Sequence, residues 1–441
     1  MNITQLSKIY REAGIVGAGG AGFPTYAKLS DKAEIVLLNC AECEPLLRLH
    51  RQLLKFHAEE IVSAFDRTRE TLGAKEGIVC IKSHYKGAIE AVSELLPQYP
   101  SIKIHLLPMV YPAGDEVVMI YDATGRVVRP GGLPIEQGVA VFNVETMYNA
   151  YHALEGENLT SKLVTVAGEV EKPCTVRVPL GAPLSEVVAL AGKQTAENCV
   201  YWVGGPMMGS LAAANAVVTK TTNSIFVFPE NLRFIEKLNS DWRIEKARAA
   251  SCCQCQMCTD LCPRHNLGHP IEPHKIMRAA ACNDYRDVSA FINAFYCSGC
   301  GVCELFSCPQ GLSPRKLTQK VKNGLRANGI RPPKDVVYNP VDPARELRKV
   351  PLERLVARLG IKRYQVQAPL DNELKDCFKQ VKILLSQHIG VPAKAVVKTG
   401  DRVMRGDVIG AAADGLSVNI HSSVTGIVTD VNDKFVTVNK L

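Results

Sequence analysis

The sequence predicts a multidomain α/β protein, and three patterns carry that prediction. Residues up to about 155 alternate short apolar strands with helices. Residues from about 160 to 230 switch to the two-residue alternation of hairpins. Two cysteine runs then interrupt a mostly helical stretch at 252–309. A chain of 441 residues is long enough for three or four domains, each with its own core.

The first region opens with a short amphipathic helix, with Ile3, Leu6, Ile9 and Tyr10 on one face. Gly14 to Thr25 follows, with five glycines in nine positions. Such a loop lets the backbone approach a ligand and take positive φ, and its N–H groups can cradle a phosphate. No strand precedes it, so it is not a dinucleotide fingerprint. Glu34–Asn39, Gly77–Lys82 and Ile102–Leu107 read as buried strands, with helices expected over 45–72 and 86–96. That alternation argues a parallel sheet covered on both faces, with ligands gathering at its strand ends. Three loops fall there: Cys40 to Pro45 with Glu42 and Glu44, Tyr111 to Glu116, and Phe142 to Thr146.

The cysteine runs carry the sharpest chemistry. Cys252, Cys255, Cys258 and Cys262-Pro263 follow C-x2-C-x2-C-x3-C-P. Cys297, Cys300, Cys303 and Cys308-Pro309 repeat it with one residue inserted before the last cysteine. Three thiolates at this spacing wrap one face of a cubane, and the fourth belongs to the other cluster. One [4Fe–4S] cluster is therefore assigned to Cys252, Cys255, Cys258 and Cys308, and the other to Cys297, Cys300, Cys303 and Cys262. Cys253 breaks the spacing and is left out. A disulfide framework or zinc does not fit two such runs. His265, His269 and His274 are expected at the surface or behind the cluster ligands.

Leu163–Val170 and Cys174–Pro179 flank a turn and read as a hairpin, with a helix at 183–192 and Gly204-Gly205-Pro206-Met207-Met208-Gly209 beyond. Met207 and Met208 are expected to pack. After residue 370 short strands return, punctuated by Gly–Asp pairs at 400–401 and 406–407.

The Gly17-to-Lys28, Asn39-to-Pro45, Tyr111-to-Glu116 and Asn143-to-Thr146 segments occur in the same order in the flavin-bearing, NADH-oxidising subunit of respiratory complex I and in RnfC. Most of the chain is similar to that family. The resemblance implies FMN, with NADH as electron donor, beside the two clusters. Carried over, Gly17, Gly19, Gly20, Gly22, Phe23 and Lys28 contact FMN or NADH, Asn39, Glu42 and Glu44 contact flavin and ribose, and Glu116 and Asn143 lie nearby. Ala18, Ala41 and Phe142 replace polar residues of the respiratory relative.

The same resemblance implies a Rossmann-like flavin domain over 1–155 and a β-grasp (SLBB-like) domain over 156–235. A ferredoxin-like domain over 236–335, a basic linker over 336–368 and a barrel-sandwich hybrid domain over 369–441 complete it. The hybrid domain resembles lipoyl carriers, but its segment 415–421 lacks their lysine. RnfC places that domain first; here it is last. The permuted order resembles the PduS family of cobalamin reductases of propanediol-utilisation microcompartments. It implies cobalamin as substrate, with a corrinoid adenosyltransferase and an iron–sulfur shell protein as partners. An RnfC-like relay to a protein partner is the alternative.

Charge and hydropathy set the remaining expectations. No apolar signal core or membrane span is present, and sixteen cysteines point to metal ligation in a reducing cytoplasm, inside a microcompartment if the resemblance holds. Fourteen Lys and Arg against four Asp and Glu in 313–363 exceed the whole chain's balance of +8. No nucleic-acid motif accompanies them, so a solvated linker or a surface for an acidic partner is expected.

Overall fold

The chain, described here as a computed structural model, is defined for residues 1–441 except Tyr285 and Lys334. Its first helix, α1 (Ile3–Glu12), starts at a reciprocal Asn2–Gln5 capping box and turns Leu6 and Tyr10 inward. The Tyr10 hydroxyl meets Thr68 Oγ1 at 2.9 Å.

The central sheet comprises β1 (Ile35–Cys40) and, after helices α2 (Leu49–Phe56) and α3 (Ala58–Leu72), β2 (Glu76–Lys82). Then come α4 (Lys86–Leu95), β3 (Ile102–Leu107), the short β4 (Val110–Tyr111), α5 (Glu116–Thr124), β5 (Val139–Asn143) and α6 (Val144–Leu154). The order is β3-β2-β1-β5, every pair parallel. Val36, Leu37 and Leu38 of β1 are all fully buried, as a strand sandwiched on both faces requires. Val36, Leu38, Val79 and Ile81 face α2, α3, α4 and α6; Leu37, Ile78, Cys80 and Val141 face α5.

The continuous helix expected over 45–72 is divided. Leu46 takes φ +73° and delays the start, and His57 at φ −133° separates α2 from α3. His57 leaves the helical path with its ring against Asn372 Nδ2 at 3.1 Å and Glu60 Oε1 at 3.0 Å.

A six-stranded sheet follows, from β6 (Ser161–Gly168), β7 (Cys174–Pro179), and, after α7 (Leu184–Ala189), β8 (Cys199–Val203), β9 (Ser210–Ala212) and β10 (Ser224–Pro229). The expected hairpin is the antiparallel β6–β7 pair. Leu370–Leu374 adds the sixth strand, parallel to β7. Beyond it, a four-stranded and a three-stranded sheet built from residues 380–440 form the C-terminal sandwich. That sandwich reaches back to the start of the chain: Ile389 N donates to Ala21 O at 3.0 Å, and buried Lys220 joins Gly14 O to Asn419 O. Segment 415–421 is pinned by Tyr26 and Arg11, not free at a tip.

The basic stretch is not a solvated linker. Helix Leu352–Leu359 buries Leu355, Val356 and Leu359, and Val350 pairs with Tyr111 of β4. Arg345 is paired with Asp122, Arg348 with Asp342, and Arg315 with Glu304; Lys316 and Lys322 cap backbone carbonyls. Asp122 and Glu304, from outside the stretch, offset part of its excess charge, and backbone carbonyls hold Lys316 and Lys322.

Candidate functional site

At the C-terminal ends of β1 and β5 lies a cavity of about 380 Å3, within the usual range for a cofactor pocket. Gly17, Gly19, Gly20, Phe23, Lys28, Asn39, Glu42, Glu44, Glu116 and Asn143 line it. Ten of the eleven residues expected there are therefore brought together. Gly22 is the exception. At φ +66° it turns away, and a side chain there would press on Thr221, Gln387 and His388.

The glycine loop is closed by Gly17 N donating to Phe23 O at 2.8 Å and by a Val16–Pro24 bridge. It leads into a four-residue 3-10 turn, Thr25–Lys28, not into an α-helix, so its peptide groups act without a helix dipole. Ala18 N donates to Thr146 Oγ1, which ties the loop to α6.

Several expected side chains are already engaged. Glu42, almost fully buried at φ +42°, accepts from His50 N at 2.8 Å and Arg51 Nε at 2.9 Å. Asn143 caps α6 through its Oδ1 and sets its Nδ2 against His50 Nε2 at 3.3 Å. Asn39 Nδ2 donates to Gly114 O at 3.0 Å, and Cys43 Sγ accepts from Gly114 N. These residues shape the wall. Lys28 Nζ reaches Glu116 Oε1 at 3.3 Å and Val141 O at 3.1 Å.

Buried atoms without a protein partner show that the cavity suits a polar ligand: Glu44 Oε1, His50 Nδ1 and Thr25 Oγ1 all belong to its lining. Burial pushes the Glu44 carboxyl up to about 7, against the Met207 N–H and Arg315, which lower it. The sequence did not reveal His50, Thr25 or Asn223. Asn223 comes from the six-stranded sheet's domain and is held by Lys162 Nζ at 2.8 Å, itself paired with Glu145 at 2.5 Å in full burial.

The cysteines divide as expected. Cys252, Cys255, Cys258 and Cys308 line one small cavity, together with exposed Cys253 and buried His274. Cys262 is crowded by Cys297 and Cys300, and Cys303 by all three. Both crossovers of the fourth cysteine are thus present. Burial and neighbouring thiols raise Cys258 and Cys303, an environment hostile to bare thiolates and suited to a metal centre that neutralises them. Of the histidines, His269 and His274 are buried, bonded to Val128 O and Thr259 Oγ1, with His274 against the first cysteine set; half-buried His265 meets Ile271 O.

The second cysteine loop touches the pocket's own loop. Tyr111 donates its hydroxyl to Cys300 O at 2.7 Å, and Arg264, two residues after Cys262, pairs with Asp115 at 2.9 Å.

Comparison with known proteins agrees with this layout. Residues 10–152 match the Nuo51 FMN-binding domain and 163–210 the SLBB domain. Residues 251–313 match a 4Fe-4S dicluster domain and 364–440 the RnfC barrel-sandwich hybrid domain. Cobalamin reductase PduS of Salmonella typhimurium is 40% identical, with 99% of this chain and 97% of that protein covered. This chain belongs to the PduS family. The PduS of Citrobacter freundii is also 40% identical, over 97% of this chain and 95% of its own. One component of the Na(+)-translocating ferredoxin:NAD(+) oxidoreductase of Acetobacterium woodii is 31% identical over 60% of this chain and 59% of its own. The PduS family member described here is thus an oxidoreductase whose cofactors are FMN and two [4Fe–4S] clusters.

Proposed function

We propose that this protein is an NADH-dependent reductase that delivers electrons to cobalamin, taking cob(III)alamin to cob(II)alamin and on to cob(I)alamin. The observation that carries the electron route is the contact between the pocket loop and the second cysteine loop, Tyr111 to Cys300. In our reading Cys297, Cys300, Cys303 and Cys262 therefore hold the cluster nearer the pocket. The set Cys252, Cys255, Cys258 and Cys308 is then the outer one, and its Cys255 is exposed. The name and near full-length similarity of the PduS relatives support the acceptor.

FMN, when bound, accepts a hydride and releases electrons singly, which suits a pocket beside a one-electron carrier. In our reading the Gly17–Gly20 loop admits its phosphate, and Asn39 and Glu44 lie against the flavin. Glu44 Oε1, buried and unpartnered, is placed to hold or release a proton there. Phe23, 38% exposed at the rim, is placed to cover the pocket from water. Among the described residues no helix is long and apolar enough to cross a membrane. Encapsulation beside a corrinoid adenosyltransferase and an iron–sulfur shell protein is the finer part of this reading; copurification tests it.

The deciding assay is anaerobic, with protein, FMN, NADH and hydroxocobalamin followed by absorbance. Appearance of the cob(II)alamin spectrum, lost in Cys300→Ala, supports the reading. NADH oxidation with an artificial acceptor but no cobalamin reduction shifts it to a relay serving a protein partner, as the similarity to the A. woodii protein would favour.

A further inference from the structure

The loop Gly204–Gly209, between β8 and β9, lies outside both the cavity and the cysteine runs, yet it is wedged between them. Its geometry depends on glycine. Gly204 sits at φ +86°, and a side chain on Gly205 would overlap the Glu44 carboxylate. Trp202 Nε1 fixes the loop by donating to Gly205 O at 3.0 Å. The Met207 side chain is fully buried in the cluster that includes Tyr111 and Val302 and packs as expected, whereas Met208, expected to pack as well, is 58% exposed. Its backbone N–H and C=O do something else.

Met207 N donates to Glu44 Oε2 at 2.8 Å, on the cavity wall. Met207 O accepts from Arg315 Nη1 at 2.7 Å. Arg315 continues to Gly299 O at 3.5 Å, inside the second cysteine loop, and its Nε holds Glu304 Oε2 at 2.8 Å beside Cys303. The backbone N–H and C=O of one residue and one guanidinium therefore connect the cavity wall to the second cluster's loop. Arg315 is 15% exposed and Glu304 fully buried, so their charges act in a medium of low dielectric.

We propose that the Gly204–Gly209 loop couples the flavin pocket to the second cluster, with Arg315 as the positioning residue that shapes the cysteine loop and holds a positive charge beside it. This inference rests on the cofactor reading above. A cation fixed next to a cluster favours its reduced, more negative form. The Arg315 charge should therefore hold the second cluster's potential above the value it would otherwise have.

The test uses the full chain loaded with FMN and iron, in parent, Arg315→Met, Arg315→Lys and Arg315→Met with Glu304→Gln. The last variant removes the carboxylate that Arg315→Met leaves unpaired, so a folding failure of the single variant does not end the experiment. FMN and iron content of the parent test the cofactor reading on its own. The readout is an EPR-monitored redox titration of both clusters. The second cluster should move to a more negative potential in Arg315→Met, by clearly less in the double variant, where the carboxylate leaves with the cation, and return toward the parent value in Arg315→Lys. The first cluster should stay where it is. Full iron content with an unmoved second cluster, or equal movement of both clusters, would overturn the proposal.

Discussion

The two cysteine loops follow one backbone path in two surroundings. Two and four residues after the first cysteine, each loop enters the left-handed region: Gln254 and Gln256 at φ +53° and +63°, Gly299 and Gly301 at +77° and +82°. The turns that bring three thiols to one point are thus the same. The second loop uses glycine because its surroundings are crowded; a Cβ on Gly301 would stand 3.0 Å from Arg315 Nη1 and 3.4 Å from Met207 O. The first loop tolerates glutamine because Gln256 is exposed, and Gln254 Nε2 lies 3.1 Å from Cys252 Sγ. A common scaffold has one copy packed against the flavin pocket and the other turned to solvent. In the proposed electron route, this asymmetry sets the direction.

That comparison can be broken most severely at the buried ion pair. Glu304→Ala leaves Arg315 unpaired in the interior and should cost about 3–5 kcal/mol. Its counterpart beside the first cysteine set is the exposed Arg358, whose Nη2 donates at 3.2 Å to the carbonyl of Cys308, that set's fourth cysteine. Arg358→Ala should cost no more than about 0.5 kcal/mol. Denaturant unfolding of the two variants side by side checks both, and equal losses would remove the distinction between packed and solvent-facing loops.

Glycine exchange is the next smaller effect. Gly301→Ala should destabilise by about 1–2 kcal/mol from backbone conformation alone, before any contact with Arg315. Gln256→Gly relieves a similar strain but adds about 0.5–1 kcal/mol of unfolded-chain entropy, leaving a gain of a few tenths. Iron retention on dilution into chelator reads the same ranking at each loop.

A titration remote from both loops serves as the smallest, sharpening control. Burial, with Lys220 adding to it, pushes His421 down to about 3, against a backbone contact at Glu12 that raises it. The folded pKa lies below the ordinary 6.5, so the unfolded chain binds the extra proton. The stability is fully present above about 6.5 and is lost as pH falls from there toward about 3. His421→Phe should flatten that part of the pH–stability curve without changing iron content.

Much of this was legible before the structure. The cysteine spacing predicts the two groups in which the cysteines gather, because cubane geometry leaves few alternatives. Strand–helix alternation gave the parallel sheet, and motif order gave most of the pocket lining. What escaped notice depends on contacts distant in sequence. His50 is one polar residue on an amphipathic helix, and Asn223 arrives from another domain under the control of Lys162. Gly22 is indistinguishable in sequence from the glycines that line the cavity, yet Gln387 and His388 claim it. The basic stretch looked solvated because its partners Asp122, Glu304 and several carbonyls come from elsewhere. Met207 reads as packing and does pack; a backbone bridge leaves no residue-type signal.

The most direct test of the central claim, that the second cysteine set stands between the flavin pocket and the first, is NADH reduction followed by EPR in Cys255→Ala and Cys303→Ala, each with its iron content measured. In Cys255→Ala the remaining cluster should still be reduced by NADH at the parent rate. In Cys303→Ala the remaining cluster should be reducible by dithionite but not by NADH. Reduction of that cluster by NADH as fast as in the parent would contradict the account.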